Sequence, residues 1–243
     1  MVRAYAEALS RANRLPQAAA EYRRLRQIDP GNLSAAATLA QMLVQLGRED
    51  EAVELLQEVE QAAPAEWEAW TSAALSRALI FNGDVTEARR RLREVPVAQE
   101  SARASLTRGL CWMYLGDWHS ALDQASHAED IRDGQLNAAV VTAAALALSG
   151  RMDEAEAAAR KAQLVETNAS QLAAVTLAYV LSTRGSSDEA HSLLNGARDS
   201  LTWEYAGIEV LYLAGLTYLE LGDTERANEL FQRTIDRWPK HPW

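Results

Sequence analysis

The sequence predicts an all-α protein, an array of about seven helix–turn–helix units with roughly fourteen helices, and three observations predict it. A small or turn-forming residue follows an apolar helical stretch at Asn13, Gly47, Gly83, Gly116, Gly150, Gly185 and Gly222. Five residues after each stands an alanine: Ala18, Ala52, Ala88, Ala121, Ala155, Ala190 and Ala227, separated by 34, 36, 33, 34, 35 and 37 residues. Seven residues before each turn residue stands another small side chain: Ala6, Ala40, Ser76, Gly109, Ala143, Ala178 and Gly215. Two antiparallel helices approach closely only where small residues meet at the crossing. The intervening glycine takes the left-handed conformation that ends the first helix. A sustained coiled coil is disfavoured, because regularly placed turn glycines interrupt any heptad.

Taken in order, the first helices are expected near 2–13, 33–46, 66–82, 99–115, 135–149, 168–184 and 203–221. The second helices are expected near 16–29, 49–63, 85–95, 117–131, 151–166, 187–199 and 223–238. Pro16 falls in the first turn of its helix, where a missing N–H is harmless. Asp117 and Asp223 follow their turn glycines as N-caps. Pro30, Pro64 and Pro239 follow second helices and stop them. The third unit carries about two extra residues between Trp70 and Gly83, which a longer helix or a local bulge would absorb. No linker composition divides the chain. It reads as one domain, 1–243, with repeats at approximately 1–32, 33–66, 67–100, 101–135, 136–170, 171–203 and 204–239.

Charge and composition narrow the function. A net charge of -10 argues against non-specific binding to nucleic acid or to an anionic membrane. No apolar run reaches the length of a membrane span, so no membrane insertion is expected. The N-terminal stretch has no signal-peptide pattern, which favours a cytoplasmic location, or a periplasmic one if a leader has been removed. Cys111 is the single cysteine and reads as a packed, inert thiol. His119, Asp123 and His127 stand at i, i+4 and i+8, but the two histidines would lie roughly 12 Å apart on a helix, too far to share one ion. They read as a solvated face. No phosphate loop, nucleophile elbow or zinc-protease motif occurs. The expectation is therefore no catalytic, metal or cofactor residues: a chain that is not an enzyme.

The last unit, VLYLAGLTYLELGDTERANELFQRTIDRWP at 210–239, resembles a tetratricopeptide repeat through Gly215, Tyr218, Gly222, Ala227, Phe231 and Pro239. ATLAQMLVQLGREDEAVELL and TRGLCWMYLGDWHSALDQA in units two and four are similar, and weaker matches cover the rest. The resemblance implies a right-handed α-solenoid, stabilised by stacking between neighbouring repeats. It also implies a protein or peptide segment as partner, held in a concave groove lined by the first helices. The groove positions so implied are Arg77, Arg103, Leu106, Leu110, Met113, Tyr114, Val140, Tyr179, Tyr212 and Leu216, with Arg3, Glu7, Arg11, Gln41 and Gln45 at the N-terminal side. An acidic portion of a partner would meet Arg77 and Arg103, and an apolar portion the positions from Leu106 to Leu216. Chaperone-binding members carry a lysine/asparagine clamp. Arg3, Glu7, Ala37, Thr38, Gln41, Ala73, Ala74 and Arg77 stand at the matching positions, and the clamp is absent.

Phe231, Ile235 and Trp238 share one face of the final helix, which a further helix would cover in an internal repeat. A homodimer through this C-terminal end is one expectation. The functional reading is an adaptor, with alanine- and arginine-rich composition suggesting a bacterial source. Assembly of a pilus, secretion or envelope complex is its finer form. A self-associating scaffold, or a sensor module excised from a larger regulator, is the alternative.

Overall fold

The computed structural model describes residues 2–94, 101–131, 135–163, 170–200 and 206–243, which form fourteen α-helices and no strand. The helix pairs are α1 (Val2–Arg11) with α2 (Leu15–Ile28), α3 (Leu33–Gln45) with α4 (Glu49–Ala62), and α5 (Glu68–Phe81) with α6 (Val85–Glu94). They continue as α7 (Ala102–Tyr114) with α8 (Trp118–Asp130), α9 (Gln135–Leu148) with α10 (Met152–Gln163), α11 (Ser170–Thr183) with α12 (Ser187–Ser200), and α13 (Ile208–Glu220) with α14 (Thr224–Arg237). The helix starts expected at 99, 168 and 203, and the ends at 95 and 166, lie outside the described residues.

The seven hairpins share one turn. All seven predicted turn residues, from Asn13 to Gly222, have positive φ, between +55° and +85°. After each, the next amide returns to the carbonyl five residues back, from Arg14 to Leu9 through Asp223 to Tyr218, at 2.8–2.9 Å. This bond satisfies a carbonyl that the helix end would otherwise leave free. The alanine five residues on is fully buried in every hairpin, and Ala6, Ala40, Ser76, Ala143 and Ala178 opposite are equally so. The helix backbones therefore pack at the distance that small residues allow.

Caps fix where the second helices begin. Asp117 accepts from the Ser120 amide at 3.0 Å and Asp223 from the Arg226 amide at 3.1 Å, as their positions predict. Asp84 does the same for the Glu87 amide at 3.2 Å. The extra length of the third unit forms no bulge. α5 has 14 residues against 13 in α3, and the rest is taken up by a 3₁₀ turn at Ala65–Trp67 after Pro64. First helices from α3 onward stack on one another in chain order. The second helices form the convex side, tied by surface ion pairs such as Arg26–Glu58 at 2.8 Å and Arg91–Glu60 at 2.6 Å. Exposed pairs of this kind contribute about 0–1 kcal/mol each, so stability rests on the buried alanine and leucine layers.

Curvature brings the end of the last repeat back against the second, third and fourth. Trp238 lies against α3, 194 residues back in the chain, its indole N–H donating to the Val44 carbonyl at 2.7 Å. The segment 238–243 then runs across the turn ends of α3, α5 and α7 and closes the solenoid on itself.

Candidate functional site

Closure turns the concave face into a channel. A cavity of about 700 Å³ lies inside it, bordered by α1, α3, α7, α9, α11 and α13. Cavities of about 300–1,000 Å³ are the size that takes a ligand or a short stretch of chain. One wall is polar, with Arg11, Gln41, Gln45 and Arg103; the other is apolar, with Leu106, Leu110, Val140, Leu172 and Val210.

Arg103 stands out on the polar wall. It projects from the first turn of α7, whose start is fixed by Ser101 accepting from the Ala104 amide at 3.2 Å. Its guanidinium donates to Gln41 Oε1 at 2.9 Å and lies 4.6 Å from the Trp70 ring centroid. Among the described residues no carboxylate pairs with it. Burial alone acts on its pKa, and lowers it. The side chain is nevertheless water-accessible, because it faces the cavity. It is a cation in a partly desolvated wall with no anion beside it among the described residues.

Arg77 is different. It sits below the cavity, 5.5 Å from the Phe81 ring centroid, beside Tyr114 and Glu209. Burial opposes its charge, but Tyr114, Glu209 and Cys111 more than offset this and its pKa is raised. Tyr114 donates from its hydroxyl to Glu209 Oε2 at 3.1 Å and is itself buried, which pushes its own pKa well up. Arg77 thus lies in the field of Glu209 within the chain, which Arg103 does not.

Of the other predicted groove positions, Leu106, Leu110 and Val140 line the cavity. Tyr114 and Tyr212 line a second crevice, of about 470 Å³, on the other side of the C-terminal segment. Tyr179 and Leu216 are half-buried and pack against the core. Met113 needs correction: it is 0% exposed, because the stacking of first helices covers that face of α7. Trp238 needs correction too. It is 2% exposed and packed in its own chain, 5.6 Å from the Phe81 ring centroid, so it does not form an open terminal strip. Phe231 packs against Tyr212 at 5.9 Å, and only Ile235 of that face remains exposed, at 55%. Glu209, Val210 and Gln171 also line the cavity, and no periodic signal singles them out in the sequence. His119 and Asp123 form an exposed pair at 3.6 Å, as the solvated-face reading requires. Cys111 lies 3.7 Å from the Ala73 carbonyl with its thiol pKa pushed up by burial to about 12.

Three family models, each described as tetratricopeptide repeat, match residues 9–74, residues 209–241, and residues 69–94 with 136–161. No curated protein matches the chain. Among solved structures the chain is similar to a tetratricopeptide repeat protein from Parabacteroides merdae ATCC 43184, at 14% identity and a TM-score of 0.58, over 97% of this chain and 91% of that one. It is similar to a Rap protein complexed with Competence and Sporulation Factor, at 16% identity and a TM-score of 0.57, over 87% of this chain and 66% of that one. A third similar structure is the APC/C hetero-tetramer Cut9-Hcn1, at 14% identity and a TM-score of 0.56, where the match covers 98% of this chain and 52% of the other. Likeness at these identities is one of fold.

Proposed function

We propose, from the premise that this chain belongs to the tetratricopeptide-repeat family, that it is a non-enzymatic interaction module whose channel holds a segment of another protein. The observation that carries the reading is Arg103, a cation lining the cavity without a carboxylate partner among the described residues. A segment with an acidic side chain at Arg103 and apolar side chains along Leu106, Leu110, Val140 and Leu172 satisfies both walls. Such charge-assisted bonds are among the stronger polar contacts, and the apolar wall supplies area. Two similar folds, the Rap protein with its factor and Cut9 with Hcn1, are described as complexes, which supports a binding role. Assembly of a bacterial pilus, secretion or envelope complex is the finer form of this reading, and it rests on family likeness and composition.

The test is selection of peptides from a random displayed library on the immobilised full chain. Enriched sequences should pair an acidic residue with neighbouring apolar ones. Arg103→Glu and Leu110→Asp should each weaken the selected peptides by about tenfold or more while helicity is kept. Peptides that bind both variants as well as the unaltered chain would overturn the proposal.

A further inference from the structure

The residues from 238 to 243 read Trp-Pro-Lys-His-Pro-Trp, and they leave the helical path at Pro239. Their contacts are those of a bound peptide. The Trp238 indole donates to the Val44 carbonyl at 2.7 Å, and the Trp243 indole to the Tyr114 carbonyl at 2.9 Å. Both acceptors lie in the last turn of a first helix, and the Val44 carbonyl also accepts from the Gly47 amide at 3.2 Å. Lys240 Nζ reaches Asn82 Oδ1 at 2.6 Å and Asp50 Oδ1 at 3.4 Å. The His241 ring lies 4.5 Å from Phe81 and 5.3 Å from Tyr114, and Trp243 lies 4.8 Å from Tyr212.

The receiving surface is shaped for this crossing. A Cβ at Gly47 would stand 2.4 Å from the Arg237 carbonyl oxygen, and one at Gly83 would stand 3.3 Å from Lys240. At Gly116, Gly150, Gly185 and Gly222 a Cβ would meet nothing within 4 Å. So the turns of repeats two and three are open for a chain to lie on them.

The fit is incomplete in two places. The Trp243 amide donates to His241 Nδ1 at 3.2 Å, which leaves the proton of a neutral ring on Nε2. That Nε2 is buried without an acceptor. A phenylalanine at the same place would remove this unpaired donor, but also the acceptor of the Trp243 amide. Beyond Trp243 the crevice of about 470 Å³ continues over Trp118 and Leu148. The segment is held by side-chain contacts, with no backbone hydrogen bond from residues 238–243 to α3, α5 or α7 among those described.

We propose that the turn ends of repeats two to four form a second binding surface, specific for tryptophan–proline segments with a basic residue between them. Residues 238–243 are its intramolecular occupant, and a segment of another protein with the same chemistry displaces them. The surface lies outside the channel and does not rest on the reading of Arg103.

The experiment uses a fluorescein-labelled hexapeptide of the occupant's own sequence, Trp-Pro-Lys-His-Pro-Trp, and fluorescence anisotropy on the full chain. In the Trp238→Ala/Trp243→Ala variant the intramolecular occupant is weakened, and the peptide should bind at least about tenfold more tightly than to the unaltered chain. Arg103→Glu should leave this affinity unchanged, which separates the surface from the channel. Equal affinity for the unaltered and double-variant chains would overturn the proposal. So would a double variant and a Trp243→Ala single variant that both lose helicity, since the segment would then belong to the folding unit. Exchange of the segment between two copies, seen as a doubled mass by light scattering, would overturn it in favour of self-association.

Discussion

Gly47 and Gly150 hold the same backbone conformation, with φ of +71° and +81°, yet they answer to different demands. At Gly150 only the left-handed conformation matters, so Gly150→Ala should cost about 1–2 kcal/mol in urea unfolding. At Gly47 the added Cβ also meets the Arg237 carbonyl, a backbone atom that cannot swing away. Gly47→Ala should therefore cost more than Gly150→Ala and shift tryptophan fluorescence as Trp238 is pushed off α3. An equal cost with unchanged fluorescence would refute that difference. His241 supplies a second prediction. Burial, and then Arg77, push its pKa from 6.5 down to about 3, with Tyr114 and Glu209 the other ionisable groups at that end of the channel. A base whose folded pKa is depressed is bound in its neutral form. The unfolded chain therefore takes up the proton first, and stability is lost as pH falls from 6.5 towards 3. Between pH 6.5 and 5 the loss should be about 1.5 kcal/mol, and His241→Phe should remove it. A urea midpoint with the same pH dependence in both proteins would sink this account. The turn residues were legible in the sequence because each is specified locally, by its own helix end. His241 was not, because its partners Phe81 and Tyr114 come from helices more than a hundred residues away.

Each hairpin is an element whose geometry small residues decide, which is why the periodic alanines located the helices so well. Ala155 is fully buried at the crossing of α9 and α10, so Ala155→Leu should destabilise by about 1–3 kcal/mol through overpacking. Removing the cap in Asp223→Ala should cost about 1 kcal/mol, read as fraying of α14 in hydrogen exchange. Protection of the first turn of α14 that survives this change would remove Asp223 from the account. Element boundaries followed from the same local rules, with the third unit as the exception. There the two additional residues were visible, but whether they entered α5 or its approach depended on Pro64, which ends α4 and leaves room for a 3₁₀ turn. The site was legible in part. Arg103, Leu106, Leu110 and Val140 follow from the face that first helices turn inward. Met113 follows Leu110 by the same three-residue step that separates Arg103 from Leu106, so spacing alone does not show that neighbouring helices bury it fully.

At the scale of the whole molecule, a repeat array has no central core, and its stability is a sum of units and neighbour contacts. The bonds of Trp238 to Val44 and of Lys240 to Asp50 and Asn82 add a contact that joins the last repeat to the second and third. No pattern in the sequence specifies it, because it depends on the curvature accumulated over the intervening repeats, a few degrees at a time. The apolar face of α14 was legible; what covers it was not. Joining these repeats changes how the array must unfold. In an open array terminal repeats have one neighbour and melt first, whereas here the last repeat gains further neighbours in repeats two to four. Hydrogen exchange should therefore find the buried amides of α3 and α13 nearly as protected as those of α7. In Trp238→Ala/Trp243→Ala the terminal repeats should exchange faster, and urea unfolding should broaden with a lower apparent m-value as cooperativity is lost. The radius of gyration from X-ray scattering should rise in the same variant as the channel opens. If protection at the ends and the scattering profile both stay as in the unaltered chain, the contacts of 238–243 follow from the curvature and do not maintain it.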